Sequence, residues 1–263
     1  MANKYLMRED APFEPELWEI LDSAMRGAAE SQLVGRRLLD VKGPFGLGLK
    51  SLPLDDEVDE AGFVSSGVLP VVMIQEDFEL NTRDLANYER EGVVLDTCPV
   101  SEAATDCARL EDRLIFHGTA KVPGLLSVGG SNNMNLLDWD DVGAAANDII
   151  QAITRLDDAG FHGPYSLALA PERYNLLYRL YPQGKQSELE HLKTMVTEGI
   201  YKTPALEQGG VLLAATAQCA SIILGQDMSL GYIGPAGTVQ EFTISESLTL
   251  RIQRPQAICL LKE

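Results

Sequence analysis

The sequence lacks the motifs that would indicate an enzyme or a membrane protein. Its 263 residues contain neither a GxGxxG or Walker phosphate loop nor a GxSxG nucleophile motif. The histidines, His117, His162 and His191, lie far apart in the sequence. Only His191 has neighbours of a possible metal-ligand type, Glu188 and Glu190, and a solvated helix face is the favoured interpretation of these three residues. The chain has no long apolar run, and its N-terminus has no apolar stretch typical of a signal peptide. We therefore expect no catalytic residue, no metal site, no cofactor and no membrane span.

Basic residues are also scarce. Only 21 Lys and Arg face 39 Asp and Glu, which gives a net charge of −18. Because phosphate binding needs Lys and Arg, nucleic acid is excluded as a general partner of this surface. The acidic excess favours simple solubility, and the alternative is that it concentrates cations. The acidic run Asp55–Glu60 lacks the spacing of a calcium loop, which favours a solvated loop tip.

Cysteines are few and are not arranged for metal binding or disulfide formation. The four are Cys98, Cys107, Cys219 and Cys259, and no two have CxxC spacing. This pattern predicts reduced, mostly buried thiols in a cytosolic protein. Cys98 precedes a proline and Cys107 lies on an apolar helix face, so both are interpreted as structural residues and not as nucleophiles.

Apolar residues at helical spacing predict several helices between segments of strand character. We expect a helix over about 16–35 ended by Gly35, one over 81–90 capped by Asn81 or Thr82, one over 101–116, and one from Asp138 or Asp140 to Ala159. Shorter helices are expected after Pro171 and Ser187. Residues 165–170, 211–225 and 239–262 predict strands, those after Gly225 half-buried. For the second half of the chain this alternation predicts a fold of the α/β or α+β class.

Residues 43–78 predict a long two-stranded arm around the acidic tip. Pro53 and Pro70 argue against central strands of a packed sheet. A two-stranded arm is marginal alone in water, so it needs a neighbour to lie on. The glycines of Gly43–Gly48 favour a turn over a phosphate loop. The residues themselves thus indicate support between chains.

Six segments resemble one family, the encapsulins, which are nanocompartment shell proteins of bacteria and archaea. They are QLVGRRLLDVKGPFG (Gln32–Gly46), LEDRLIFHG (Leu110–Gly118), GLLS (Gly124–Ser127), GPYSLALAPERYNLLYRL (Gly163–Leu180), LGQDMSLGYIG (Leu224–Gly234) and PQAICLLKE (Pro255–Glu263). The resemblance spans nearly the whole chain in order. It is strongest for the type 1 encapsulins.

The resemblance implies the tailed-phage major-capsid (Hong Kong phage-like) fold. The implied parts are an N-terminal arm and helix of the peripheral domain (1–42), an extended loop (43–78), the peripheral domain with its spine helix (79–131), the axial domain (132–224) and C-terminal strands of the peripheral domain (225–263). Encapsulins self-assemble into icosahedral shells that enclose cargo enzymes carrying a C-terminal targeting peptide. The implied partners are therefore other copies of this chain and a cargo protein, in the cytoplasm.

The resemblance also implies two functional sites. The positions that match the cargo-peptide groove are Leu33, Arg36, Asp40 and Leu230, where the leucines would give an apolar floor and the charged pair would fix the peptide register. The alternative is a local salt bridge between Arg36 and Asp40, with the leucines in the core. The matching five-fold pore loop is Tyr181, Pro182, Gln183, Gly184, Lys185 and Gln186, and the alternative is an ordinary turn.

One family feature does not carry over. Some encapsulins stack a flavin on a tryptophan after the extended loop, but the corresponding position here is Arg83, so no flavin is expected. The expected cargo is a ferritin-like or other iron-oxidising protein for iron storage, or a dye-decolourising peroxidase. The alternative functions are a phage or prophage major capsid protein and, less favoured, a bacteriocin-like or peptidase-like enzyme.

Overall fold

The structure is a computed structural model that describes residues 4–182 and 184–263. The described chain forms two compact units. The first contains residues 4–33, 43–111 and 224–248. The second contains residues 34–42, 112–223 and 249–263.

The described chain contains both helices and strands, in agreement with the α+β fold that the resemblance implies. The helices are α1 (Pro15–Gln32), α2 (Gly35–Leu38), α3 (Thr82–Glu91), α4 (Cys98–His117), α5 (Ala144–Asp158), α6 (Pro171–Leu176) and α7 (Glu188–Leu192). The strands are β1 (Asp40–Lys42), β2 (Ser51–Val58), β3 (Val64–Pro70), β4 (Val72–Asn81), β5 (Asn132–Asn135), β6 (Tyr165–Leu169), β7 (Gly199–Lys202), β8 (Gly210–Ala214), β9 (Ala220–Ala236), β10 (Val239–Ile252) and β11 (Ile258–Lys262).

Helix α1 forms as its sequence predicts, with one difference at its end. Pro15 occupies the first turn, where its missing N–H costs nothing. The buried side chains Leu17, Trp18, Leu21, Met25 and Ala29 follow the helical repeat. The helix ends at Gln32 and not at Gly35, because Leu33 is extended and the separate turn α2 follows.

The sheet of the first unit places β10 between β9 and β4. Strands β4 and β10 are antiparallel over their whole shared length, from the pair Val72 and Leu248 to the pair Asn81 and Val239. Phe78 lies directly opposite Phe242, and their stacked rings are 5.3 Å apart between centroids. This aromatic pair fixes the register, because a slip of one residue would turn both rings to the other face.

The predicted arm is an antiparallel hairpin of β2 and β3, with a bulge between Pro53 and Asp56. All of its residues are exposed except Leu52, Leu69 and Pro70. The two-stranded part ends at Pro70, because β4, which covers most of the remaining expected arm, pairs with β10. The hairpin therefore has almost no core of its own within the chain.

A five-stranded sheet forms the centre of the second unit, in the order β5-β11-β8-β6-β7. Helix α5 packs on it around fully buried Trp139, Ile149, Leu156, Leu167 and Leu212. The short strand β1 pairs in parallel with the first residues of β9, Ser221–Ile223.

Two expectations about this part of the chain are wrong. Helix α5 begins at Ala144 and not at Asp138 or Asp140, and its cap position is Gly143, which has a positive φ and no side-chain cap. The helix expected after Ser187 is a single short turn, α7.

The expected alternation of β10 also fails over part of its length. Residues 239–244 alternate, but 244–250 are buried without interruption, including the polar residues Ser245, Glu246, Ser247 and Thr249. A polar residue on a strand marks an exposed face only where one face of the sheet is open to water.

Candidate functional site

The four expected cargo-groove residues belong to two compact units, Leu33 and Leu230 to the first and Arg36 and Asp40 to the second. Leu33 follows the end of α1 and is 7% exposed. It packs with Ala29, Ala108 and half-buried Met228. The two small alanine side chains allow the end of α1 to approach α4 closely.

Leu230 lies in β9 and is fully buried. The N-terminal part of the chain passes beside the next residue of β9, because a Cβ added to Gly231 would lie 3.0 Å from the carbonyl oxygen of Leu6. Both leucines are thus covered by their own chain, as a core position would be. The residues of a peptide-binding surface would be buried in the same way if another segment of the chain occupied that surface.

In the second unit, Arg36 is positioned by a short helix that depends on a distant carboxylate. Asp112 of α4 is 5% exposed, and its oxygens accept hydrogen bonds from the amides of Val34 (3.1 Å) and Gly35 (2.8 Å). These are amides at the start of α2, where an anion stabilises a helix. Sequence reasoning missed Asp112, and no local pattern around residue 35 reveals it.

Arg36 is half-buried on α2, and Asp40 is exposed at the start of β1, four residues later. The neighbouring Arg37 places its guanidinium 5.5 Å from the ring centroid of Tyr201 on β7, which holds α2 beside that strand. Gly35 is required at the start of α2, because a Cβ there would meet the side chain of Ile115. The turn that carries Arg36 is therefore held by contacts with Tyr201 and with Ile115.

The expected pore loop is a compact turn whose ends are tied together. Gln183 lies outside the described residues. The amide of Tyr181 donates to the carbonyl of Gln186 (3.1 Å), and Leu180 and Ser187 form an isolated β-bridge. Pro182, Gly184, Lys185 and Gln186 are exposed, whereas Tyr181 is half-buried. The loop thus presents one cation, Lys185, and little apolar surface.

A buried carboxylate anchors this loop. Glu188 is fully buried, its Oε1 accepts from the amide of Gly143 (2.7 Å), and its Oε2 lies 3.4 Å from Arg179. Arg179 also donates to the carbonyl of Asp140 at 2.9 Å. The interpretation of Glu188 as part of a solvated helix face is therefore wrong, since a buried charge requires these partners.

Other polar side chains near the loop form hydrogen bonds with residues close to them in the sequence. Ser187 and Glu190 form a reciprocal capping box at the start of α7, a pattern visible in the sequence as S-x-x-E. The hydroxyl of Tyr181 lies 2.8 Å from Nδ1 of His191. Burial and then the negative charge of Glu188 raise the pKa of Tyr181, which keeps its hydroxyl protonated.

Three cysteines, Cys98, Cys107 and Cys259, have pKa values shifted away from those of activated nucleophiles. Cys107, Cys219 and Cys259 are buried and Cys98 is exposed. Burial raises the pKa of Cys107 to about 12 and that of Cys259 to about 11. A hydrogen bond with Asp96 raises the pKa of Cys98. A catalytic thiol needs the opposite shift.

The histidines have separate structural partners. Nε2 of His117 lies 2.7 Å from the carbonyl of Ala205, and Nδ1 of His162 lies 3.1 Å from a carboxylate oxygen of Asp157. Within residues 4–182 and 184–263 no group of three His, Cys, Asp or Glu is placed to hold a metal ion. Over the same residues, no helix combines the length and apolar character needed to cross a membrane.

Arg83, the position at which a flavin-stacking tryptophan was considered, lies on α3. Its amide donates to the side chain of Asn81 (2.9 Å), which confirms Asn81 as the helix cap. The Arg83 side chain is exposed.

Comparisons with known proteins agree along almost the whole chain. The family described as "Encapsulating protein for peroxidase" matches residues 3–249. A type 1 encapsulin shell protein of Myxococcus xanthus is 30% identical over 276 residues, covering 98% of this chain and 96% of the relative.

Solved structures extend this similarity to the fold. A virus-like particle from Pyrococcus furiosus superposes with a TM-score of 0.78 and 26% identity, covering 94% of this chain and 100% of that one. The capsid of Myoviridae phage XM1 gives a TM-score of 0.62 at 14% identity, with 87% and 90% of the two chains covered. These likenesses confirm the predicted α+β capsid fold.

Proposed function

Because the chain belongs to the encapsulin family and is a shell protein, we propose that it assembles into a closed icosahedral compartment in the cytoplasm. We further propose that the compartment encloses cargo enzymes that carry a C-terminal targeting peptide. The chain's own role is structural: it forms the wall, retains the cargo and admits small molecules.

The observation that carries the assembly is the exposed hairpin of β2 and β3. Val58, Phe63, Val64 and Val68 are between 64% and 72% exposed, although they are apolar. An isolated hairpin of this kind is marginally stable, and a clustered apolar surface of this kind marks an interface. A second copy of the chain is the natural cover, because a shell presents identical surfaces around every subunit.

Negative-stain microscopy of the purified protein tests this assembly. We expect closed particles for the wild type and for Phe63→Tyr, which keeps the apolar ring. The double variant Phe63→Ser with Val64→Ser should give few or no particles, because each subunit loses two large apolar contacts. Soluble monomers from the wild type would refute the proposal.

We propose that the targeting peptide docks at Leu33, Arg36, Asp40 and Leu230. The support is chemical: two leucines suit the apolar side chains of an extended peptide, and the opposite charges of Arg36 and Asp40 suit its polar groups. Asp112 supports the proposal further, because it fixes the turn on which Arg36 stands.

The docking proposal is tested by loading a fluorescent protein that carries a C-terminal tail of leucines spaced by glycines. The amount retained per shell should fall strongly in Arg36→Ala. The matched control is Arg26→Ala, which removes the same charge from an exposed position of α1. Equal loading of both variants and the wild type would exclude a role for Arg36.

The family description supports a peroxidase as one cargo class, and a ferritin-like or other iron-oxidising protein for iron storage is the other class that we propose. The loop 181–186 is proposed to line a pore at the five-fold axis, where its exposed residues would set the width and charge. If the acidic excess of the chain draws Fe²⁺ inward, uptake by ferritin-loaded shells will slow as ionic strength rises. Uptake of Fe²⁺ that does not depend on the salt concentration would exclude a role of the acidic excess in drawing Fe²⁺ inward.

A further inference from the structure

Strand β9 has a free edge in the part that contains Leu230. On one side β9 lies beside β10, and on the other its described strand partner, β1, reaches only Ser221–Ile223. Residues 228–236 therefore have no strand beside them on that side among the described strands. A free edge of this kind can accept an extended peptide as an additional strand.

The chain's own N-terminal segment, Lys4–Glu14, crosses this edge from one face of the sheet to the other. On one face, the backbone of Leu6 lies against Gly231, next to the methyl group of Thr243. On the other face, the ring of Phe13 lies 5.6 Å from that of Tyr232 and 5.7 Å from that of Phe242, between centroids. Because side chains alternate along a strand, contacts with both Gly231 and Tyr232 require this crossing.

A clamp on α1 also holds the segment. Arg8 donates two hydrogen bonds to the carboxylate of Asp22 on α1 (2.8 and 3.2 Å), and its guanidinium lies 4.3 Å from the ring centroid of Trp18. Leu6, Arg8, Ala11 and Phe13 are half-buried, whereas the rest of the segment is exposed. Few buried contacts and a solvent-facing backbone are typical of a segment that opens locally.

We propose that the N-terminal segment is a displaceable cover over the edge of β9, and that a targeting peptide adds to this edge as an extended strand when the segment leaves. The inference rests on the proposed docking of that peptide at Leu230, and it assigns the regulation of the site. The cover reduces the apparent affinity to the intrinsic affinity multiplied by the fraction of time for which the edge is open. It also protects the free edge from pairing with unrelated chains.

The occupant that this edge favours is a targeting peptide in which apolar residues alternate with polar ones. A peptide strand on the edge would form main-chain hydrogen bonds with β9 and project every second side chain toward Tyr232 and Phe242. Phe13 fills that aromatic position in the closed state. A leucine, isoleucine or valine of the guest would take its place.

The test uses full-length shells assembled in the presence of a labelled twelve-residue peptide in which leucine and serine alternate. Three variants open the cover in different ways: Arg8→Ala and Asp22→Asn break the clamp, and Gly231→Ala pushes against Leu6 without altering the segment. Arg26→Ala is the matched control for loss of charge. Microscopy of the same samples confirms that each variant assembles.

We expect the peptide to bind about tenfold more tightly to all three opening variants than to the wild type or Arg26→Ala. Trypsin should also cleave after Arg8 faster in Gly231→Ala than in the wild type. Measurable but equal binding of the peptide to the wild type and to all variants would refute the displaceable cover but would not contradict docking of the peptide. Absence of binding to every protein would overturn docking at this edge together with its regulation.

Discussion

Replacing Asp112 by asparagine tests whether one buried carboxylate holds the turn that carries Arg36. Asp112 accepts hydrogen bonds from two amides, those of Val34 and Gly35. If the Oδ1 of an asparagine takes the place of the aspartate Oδ1, it can still accept from both amides, but its NH₂ group replaces the second oxygen, which the amide of Val34 also contacts. Both hydrogen bonds then lose the negative charge of their acceptor, and the amide of Val34 faces a donor group.

The magnitude follows from the loss of the charge. A hydrogen bond to a charged group is worth about 1.5–3 kcal/mol and one to a neutral group about 0.5–1.5 kcal/mol, so each of the two bonds weakens by about 1–1.5 kcal/mol. We therefore expect local opening of residues 34–38 to become easier by about 2–3 kcal/mol. Each 1.4 kcal/mol is a factor of about ten, so amide exchange should accelerate by roughly thirtyfold to a little over a hundredfold.

Hydrogen exchange followed by mass spectrometry on fragments containing residues 33–39 measures this opening directly. Asp106→Asn is the matched control, because Asp106 lies on the same helix but pairs only with exposed Arg109, a contact of small energetic value. Asp112→Asn shells should also load less of the tail-bearing fluorescent protein. Unchanged exchange at residues 33–39 in Asp112→Asn would refute the capping argument.

Three further predictions concern single side chains. In native shells a thiol reagent should modify Cys98, which is exposed, and spare the other three cysteines until the protein is denatured. Glu188→Gln should speed tryptic cleavage after Lys185, because it weakens the ion pair that anchors the loop 181–186. The hydrogen bond from Arg173 lowers the pKa of Glu263, so this pair stabilises the fold fully above the ordinary value of 4.5 and progressively less as the pH falls through the lowered pKa. The difference in melting temperature between wild type and Glu263→Gln should therefore vanish in acid.

Local patterns in the sequence predict the elements that depend on local interactions. The apolar repeat of α1, the cap of α3 at Asn81 and the two strands of the hairpin are all found close to their predicted positions. Each follows from residues within a few positions of one another. The acidic run expected as a loop tip is a turn only from Asp59, which accepts hydrogen bonds from the amides of Ala61 and Phe63 at 2.9 Å. Residues 55–58 lie in β2, so for them the expectation is wrong.

The features that the sequence does not predict depend on residues far apart in the chain. The break after α1 is stabilised by Asp112, 78 residues beyond Val34. The burial of Glu188 is compensated by a hydrogen bond from the amide of Gly143, which lies 45 residues earlier in the chain. No pattern read over a few turns of helix contains either partner.

Leu33 and Leu230 show the limit of pattern reading at the candidate site itself. A leucine that packs in the core and a leucine that awaits a guest have the same local signature, since both need an apolar neighbour. In this chain the segment that lies against Gly231, the residue after Leu230, has only a few half-buried side chains, and it is polar enough to be interpreted from sequence as an extended arm. Whether Leu230 is a core residue or a docking residue therefore depends on competition between two segments. Leu230 is a docking residue only if a guest peptide displaces the N-terminal segment. The binding of a leucine-bearing peptide to Arg8→Ala and Gly231→Ala shells distinguishes the two cases.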